Sequence, residues 1–361
     1  MRKKRTVTIQ ELAEQLGLSR NTVSKALHGQ PGMSLETREA VLKLAEEKGY
    51  RTREQKENAL LDGTGLLHKG MRRFLFIVAS DRGFLEETHQ FVLQGIHDCF
   101  DPLQYRIDVV FIPEHNRPEL FWEDWLEEHA LLHADGIFIS HMMPEELEAK
   151  LLQISVPKIL INFPPTGAKV DSVIWDVQDA VRQAVRYLLN QGHRNILYVG
   201  DAPHHLGYRG YRLRWIAFQE EMAQVGIAVD SSQHVTNSMM DRERWLQSWK
   251  KCITMQKPTA ILNTIDYELG WIYYACREFG IRIPQDCSLV SILYEENSFI
   301  PDVSHPLLPV RATGHRAAER MIWRIANPNH IYEHIRLQIQ FIEGKTVHPI
   351  INSRKEGSVN T

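Results

Sequence analysis

The sequence predicts a mixed α/β chain of two parts in series: a small all-α head, and a larger two-lobed core of parallel sheets covered by helices. Three observations carry that expectation. The first fifty residues place apolar side chains at helical spacing with no strand pattern. From residue 72 onward, apolar runs of strand length alternate with amphipathic helical stretches, as parallel sheets with helices on both faces require. The charge divides along the same line. Residues 1–53 hold 11 Lys/Arg against 6 Asp/Glu, net +5, and the remaining 31 against 39 give net −8. Only the first segment has an electrostatic reason to approach a polyanion.

Element by element, the head begins with Thr8 and Glu11, spaced as a capping box, followed by Ile9, Leu12, Ala13 and Leu16 on one stripe. Gly17 supplies a turn and Ser19 a second cap. The next helix turns Val23, Ala26 and Leu27 inward and leaves Arg20, Asn21, Ser24, Lys25 and His28 on the opposite face. A third helix starts near Ser34 and runs to Lys48, with Val41, Leu44 and Ala45 inward and Gly49 as its stop. The polar face of the second helix has the chemistry of a base reader. Arginine can hold guanine through O6 and N7, and asparagine adenine through N6 and N7. Thr8, Ser19, Thr22 and Ser34 stand at helix amino termini, where hydroxyls and free N–H groups meet phosphates. The spacing is that of a helix-turn-helix.

The run VTIQELAEQLGLSRNTVSKALHG, with MSLETREAVLKLAEEKGYR after it, resembles the head of the lactose-repressor/galactose-repressor family of bacterial transcription regulators. The motifs VTI, A-x-x-x-G-x-S-x-x-T-V-S, S-x-E-T-R and GYR carry the likeness. It implies base reading by Arg20, Asn21 and Lys25, and backbone positioning by Thr8, Ser19, Thr22, Ser24 and His28, on palindromic double-stranded operator DNA. A single head makes few contacts, so a two-fold homodimer is expected. The organisation expected is a DNA-binding head over 1–53, a hinge over 54–71, a ligand-binding and dimerisation core over 72–351 and a disordered tail over 352–361. The family's hinge places a leucine wedge in the minor groove. Here Thr52 replaces the usual proline, Lys56 and Glu57 replace Ala-Arg, and Ala59 falls at the wedge position, with Leu60 or Leu61 reachable only by a shifted register.

In the core, FLFIVAS, RIDVVFI, ADGIFIS, KILINF, NILYVG, TAILNT and CSLVSIL read as strands. No GxGxxG or GxxxxGK[ST] accompanies them, so nucleotide-binding signatures are missing. ADGIFIS, GHRNILYVG, PTAIL and IRIPQDCSLVS resemble the same family's core, which has the fold of periplasmic sugar-binding proteins. That fold holds ligands between its lobes, beyond the carboxyl ends of the strands. Asp81, Arg82 and Phe84 follow the first strand and are expected to border the site. By the resemblance, Arg214 in Arg214-Trp215-Ile216-Ala217-Phe218 is the effector-contacting arginine, while Arg209 and Arg212 are expected to be solvated. Asp266 and Tyr294 stand at two further effector positions. Beside them Ile265 and Leu293 replace residues that would bond a sugar hydroxyl. The surviving groups suit an anionic or aromatic ligand, possible partners for stacking being Phe163, Trp175, Tyr208 and Trp271. A core that has lost its ligand and serves as a dimerisation or protein-binding scaffold is the rival expectation.

Other chemistry is sparse. His129 and His133 beside Glu128 form E-H-x-x-x-H, a spacing that can serve a metal, but no third ligand is signalled and a solvated helix face is the expectation. Cys99, Cys252, Cys276 and Cys287 show no C-x-x-C spacing and read as reduced packing residues. Glu86-Glu87, Glu127-Glu128 and Glu295-Glu296 read as exposed pairs, and no nucleophile elbow or cofactor lysine is visible, so neither enzyme nor cofactor is expected. No apolar run nears the roughly 18 residues of a membrane span and no signal-peptide stretch opens the chain, so a cytoplasmic protein is expected.

Overall fold

A computed structural model describes residues 7–27, 33–48, 50, 72–81, 83, 85–113, 120–201, 208–236, 241–265, 269–292, 300 and 302–350. The expected hinge over 54–71 and the tail over 352–361 lie outside them.

Three helices form the head: α1 (Ile9–Leu16), α2 (Arg20–Leu27) and α3 (Leu35–Glu47). The capping box is reciprocal: Thr8 Oγ1 accepts from the Glu11 backbone N–H at 3.2 Å, and Glu11 Oε2 accepts from the Thr8 N–H at 2.9 Å. Gly17 closes α1 with φ +65°, a left-handed conformation that glycine adopts without a Cβ penalty. Leu12, Ala13, Val23, Ala26, Val41 and Ala45 form the shared core, with Ile9, Leu16, Leu27 and Leu44 at its border.

The chain divides into two compact units. The first comprises residues 1–174 and 310–335, so it includes the head; the second comprises 175–309 and 336–361. Within the first, β1 (Arg73–Ala79) pairs in parallel with β2 (Arg106–Ile112) and β3 (Gly136–Ile139), β3 with β4 (Lys158–Leu160), and β4 with β5 (Asp171–Trp175). A late strand, β10 (His334–Leu337), adds beside β5. β1 is buried on both faces, which is why it reads as a continuous apolar run. Leu75 and Ile77 join Trp125, Leu131, Ile137, Ile139 and Leu151 in one core cluster, which covers α5 (Leu120–Glu128) and α6 (Glu145–Gln153).

Two helices from distant parts of the sequence cross closely here, α4 (Glu87–Phe100) and α11 (Val310–Ala326). Their contact needs Gly95 and Gly314: a Cβ on Gly314 would lie 1.9 Å from the Val92 carbonyl oxygen, and one on Gly95 1.9 Å from that of Arg311. Arg311 brackets the crossing, donating to both carboxylate oxygens of Asp98 at 2.7 and 2.8 Å.

β5 and β10 are absent from the sequence-based strand set, and they meet a buried charge cluster. Asp171, fully buried at the start of β5, accepts from Arg320 Nη2 at 2.8 Å, from Arg324 Nε, and from the Glu333 N–H at 2.9 Å. Burial opposes ionisation of Asp171, but the bonds from Arg324 and Arg320 outweigh it and hold the carboxyl below its ordinary range. Arg324 also donates to the carbonyls of Asn327, Pro328, His330 and Ile331, fixing the turn that leads to β10.

In the second unit, β6 (Ile196–Val199), β7 (Ala260–Asn263) and β8 (Ser288–Ser291) pair in parallel. α7 (Val177–Asn190) and α8 (Arg209–Gln224) cover one face through Val181, Leu188, Trp215 and Phe218. α9 (Arg242–Gln256) and α10 (Leu269–Glu278) cover the other through Trp245, Trp249, Ile272 and Cys276. A short antiparallel pair, β9 (His305–Leu307) with β11 (Gln340–Ile342), completes it.

Candidate functional site

On the head, Ser19 caps α2 by accepting from the Thr22 N–H at 3.0 Å, and the two hydroxyls share a further bond at 2.8 Å. Ser34 repeats the arrangement on α3 with Thr37, at 3.2 and 2.8 Å. Arg20 and Asn21, the first two residues of α2, are exposed, while Ser24 and Lys25 on its next turn are half-buried. The buried stripe of Val23 and Ala26 therefore forces Arg20, Asn21, Ser24 and Lys25 onto the other face, with Thr22 beside the cap. α2 has no acidic residue in its first turn, so its partial positive end is unopposed. His28 lies outside the described residues.

In each unit the parallel strands end on one edge, and polar side chains gather there. In the second unit, Arg214 on α8 is 8% exposed; its Nη1 donates to the Thr264 carbonyl, and its guanidinium lies 4.9 Å from the Tyr211 ring centroid. Its Nε is buried with no hydrogen-bond partner among the described residues. Thr264 Oγ1 donates to Tyr198 Oη at 3.1 Å, and burial pushes the Tyr198 hydroxyl up, so it stays neutral. Asn263 Nδ2 donates to the Ile265 carbonyl at 2.9 Å and to Ser291 Oγ at 3.0 Å. Asn263, at the end of β7 and two residues before Ile265, is fully buried with its amide nitrogen bonded within the chain. Fully buried Asp201 follows β6. Asn263, Thr264, Ser291 and Asp201 escaped the sequence reading; their signal is a polar residue at or just past the carboxyl end of each apolar strand. Asp266 and Tyr294 fall outside the described residues. Arg212 is exposed and Arg209 half-buried, and both have interactions within the chain.

In the first unit, Asp81 is exposed just after β1, and Phe163 follows β4 at 4% exposure. Trp175, the last residue of β5 and the first residue of the second unit, is 3% exposed. Arg82 and Phe84 lie outside the described residues. The sequence reading missed His89, in the first turn of α4. It is 2% exposed, its ring centroid is 4.5 Å from that of His141 and 6.2 Å from that of Phe76, and neither ring nitrogen has a hydrogen-bond partner among the described residues. Burial pushes its pKa down to about 4, so the ring is neutral near pH 7 and carries one donor and one acceptor. Ser140 Oγ, buried at the end of β3, is likewise unpartnered among those residues, and His141 Nε2 lies 3.2 Å from Thr88 Oγ1. The only sequence hint was that His89 shares the inward stripe of Val92 and Ile96.

Residues 8–53 match the model of bacterial regulatory proteins of the lacI family, and residues 185–347 match that of a periplasmic binding protein-like domain. The chain thus carries a lacI-family head and a periplasmic-binding-protein-like domain. Across 332 residues it is 28% identical to the HTH-type transcriptional regulator AglR of Rhizobium meliloti (strain 1021), covering 89% of this chain and 88% of that one. With catabolite control protein A of Priestia megaterium it shares 26% over 292 residues, 79% and 81% of the two chains. Among solved structures it resembles the lac repressor dimer bound to operator and the anti-inducer ONPF, with TM-score 0.63, 18% identity and coverage of 95% and 100%. The LacI family transcriptional regulator CCPA from Weissella paramesenteroides, with bound glucose, gives TM-score 0.63 and 17% identity, over 77% of this chain and 99% of that one. The chain is a DNA-binding transcriptional regulator with a periplasmic-binding-protein-like core.

The histidine pair beside Glu128 does not share a helix face. α5 ends at Glu128; His129 packs edge-on against Trp125 at 5.4 Å, and His133 ends a separate 3-10 turn, Leu131–His133. Neither is simply solvated, since His133 Nδ1 lies 2.7 Å from Arg38 Nη1. No group of three or more potential metal ligands occurs among the described residues. All four cysteines are free, with Cys252, Cys276 and Cys287 buried, and burial raises each thiol pKa above its ordinary value. No helix among the described residues is long and apolar enough to cross a membrane.

Proposed function

We propose that the chain represses transcription by reading operator bases with Arg20, Asn21 and Lys25, while Thr8, Ser19, Thr22, Ser24, His28 and Ser34 seat the head on phosphates. Exposed Arg20 and Asn21, side by side at the start of an uncountered helix terminus, carry this reading. Each bidentate base contact is worth about 1 to 3 kcal/mol of discrimination. The test is selection of bound duplexes from a random pool. Arg20→Ala is expected to relax preference at one base pair of each half-site and Lys25→Ala at another. Unchanged preference in both variants refutes the assignment.

The core is assigned a small effector held at the carboxyl-end edges of the strands, where Asp81, Arg82, Phe84, Phe163, Trp175, Arg214, Asp266 and Tyr294 are the proposed contacts. His89 and Ser140 add neutral donors and acceptors of the kind a hydroxyl satisfies, and Arg214 adds a cationic group. A hydroxyl-bearing, sugar-derived or anionic molecule is the proposed effector. Binding one state of the core better than another shifts operator affinity, typically by about 1 to 3 kcal/mol. A thermal-shift screen of neutral sugars, sugar acids and sugar phosphates tests this. Arg214 and Asn263 are already bonded to backbone carbonyls, which favours one alternative, a scaffold without ligand; that reading predicts no stabilisation by any compound. The regulator is assigned to the cytoplasm, with no catalytic role.

A further inference from the structure

Two motifs noted in the sequence have no part in reading DNA or holding a ligand: the arginine of S-x-E-T-R, which is Arg38, and the second histidine of E-H-x-x-x-H, which is His133. The fold brings them together. Arg38 projects from α3 and is 5% exposed, unusually buried for an arginine of so small a helical head. Its Nη1 lies 2.7 Å from His133 Nδ1. A guanidinium has only donors, so the imidazole accepts at Nδ1 and is neutral there. Burial, with Arg38 and Arg73 nearby, holds the His133 pKa below the ordinary imidazole range, which keeps it an acceptor at neutral pH.

The turn bearing His133 is itself anchored to the sheet. Arg73, the first residue of β1, donates from Nη2 to the His129 carbonyl at 3.1 Å and from Nη1 to that of Ala130 at 3.3 Å. Its backbone N–H donates to Asp135 Oδ2 at 2.9 Å, and its Nε to Asp108 Oδ2 at 2.9 Å. Asp135 attracts Arg38 electrostatically as well. A continuous polar path thus runs from the amino end of β1, through the 3-10 turn, to the third helix of the head.

We propose that the turn Leu131–His133 is a docking point for the reading head, and that the Arg38–His133 hydrogen bond fixes the head's orientation on the core of its own chain. A head held this way passes a displacement of β1 on to α2, which packs against α3 in the same small core. This inference goes beyond the assignment of the ligand edge and does not depend on it.

Spin labels on exposed Gln15→Cys and Glu146→Cys test it in the full-length protein, in a Cys99→Ser background. Labelled chains are diluted into excess unlabelled chains so that only distances within one chain are read. A single narrow distance is expected for the parent. His133→Ala and Arg38→Ala are each expected to lose it for a broad distribution, and His133→Gln, which keeps an acceptor oxygen, to restore it. A distribution unmoved by either alanine variant overturns the proposal. So does broadening by His133→Ala that His133→Gln leaves in place, since the turn and not the bond would then be responsible. Unfolding curves of each variant confirm that head and core remain folded.

Discussion

At the scale of single residues, the strongest determinants are buried polar groups that no periodicity reveals. Asp171 offsets two guanidiniums that are 4% and 6% exposed, so Asp171→Asn leaves buried charge uncompensated. Removing one partner of a buried ion pair costs about 3 to 5 kcal/mol; urea unfolding is expected to show a loss of that order, and Asp171→Glu a smaller one. His89 gives the opposite pH behaviour to a salt-bridged histidine. Its folded pKa of about 4 lies below the unfolded value of about 6.5, so the unfolded chain takes up the proton first. Its stabilising contribution is complete above the unfolded value and disappears as pH falls toward 4. His234, also pushed down to about 4 by burial, acts in the same direction. The melting temperature is therefore expected to fall between pH 6.5 and 4.5, and His89→Phe to make that slope shallower. A slope identical to the parent's would show that the ring is not held neutral by its surroundings.

At the scale of elements, the legible parts of the sequence were those with one strong period. α1, α2 and α3 follow from their caps and apolar stripes, and β2 coincides with RIDVVFI. β5 was invisible because DSVIW begins with a charged residue, and only Arg320 and Arg324, about 150 positions later, make that residue tolerable in a core. β10 was invisible for a related reason: HIRL alternates with charge and gains strand structure only from its neighbour β5. The proposed ligand edge rests in sequence on Arg214, which sits in a recognisable motif. Asn263, Ser140 and His89 were not, because a polar residue next to a strand looks the same in sequence whether it faces a loop or a site. The α4–α11 crossing was equally hidden, and it yields a sharp expectation. Gly314→Ala sets a Cβ against backbone rather than against a movable side chain. Overpacking of that kind costs about 1 to 3 kcal/mol and sometimes more. Thermal unfolding is expected to register it, whereas Gly210→Ala, with open space around it, should be nearly neutral.

At the scale of the whole molecule, the charge asymmetry restricts how the protein meets DNA. The basic head approaches phosphates, and the acidic remainder discourages contact elsewhere. Operator affinity is expected to fall linearly with the logarithm of salt, and Lys25→Ala to reduce that slope by about one if Lys25 also neutralises a phosphate, as a titration by fluorescence anisotropy would show. Arg20→Ala tests the other property, because it should alter which duplex is preferred more than how salt acts on it.

The interrupted course of the first unit also matters during synthesis. Its sheet needs β10 and its helical cover needs α11, yet residues 175–309 leave the ribosome before either. The intervening unit has the opportunity to fold while the earlier one still exposes the apolar side of α4, so a nascent chain halted near residue 300 should require chaperone protection that the finished chain does without.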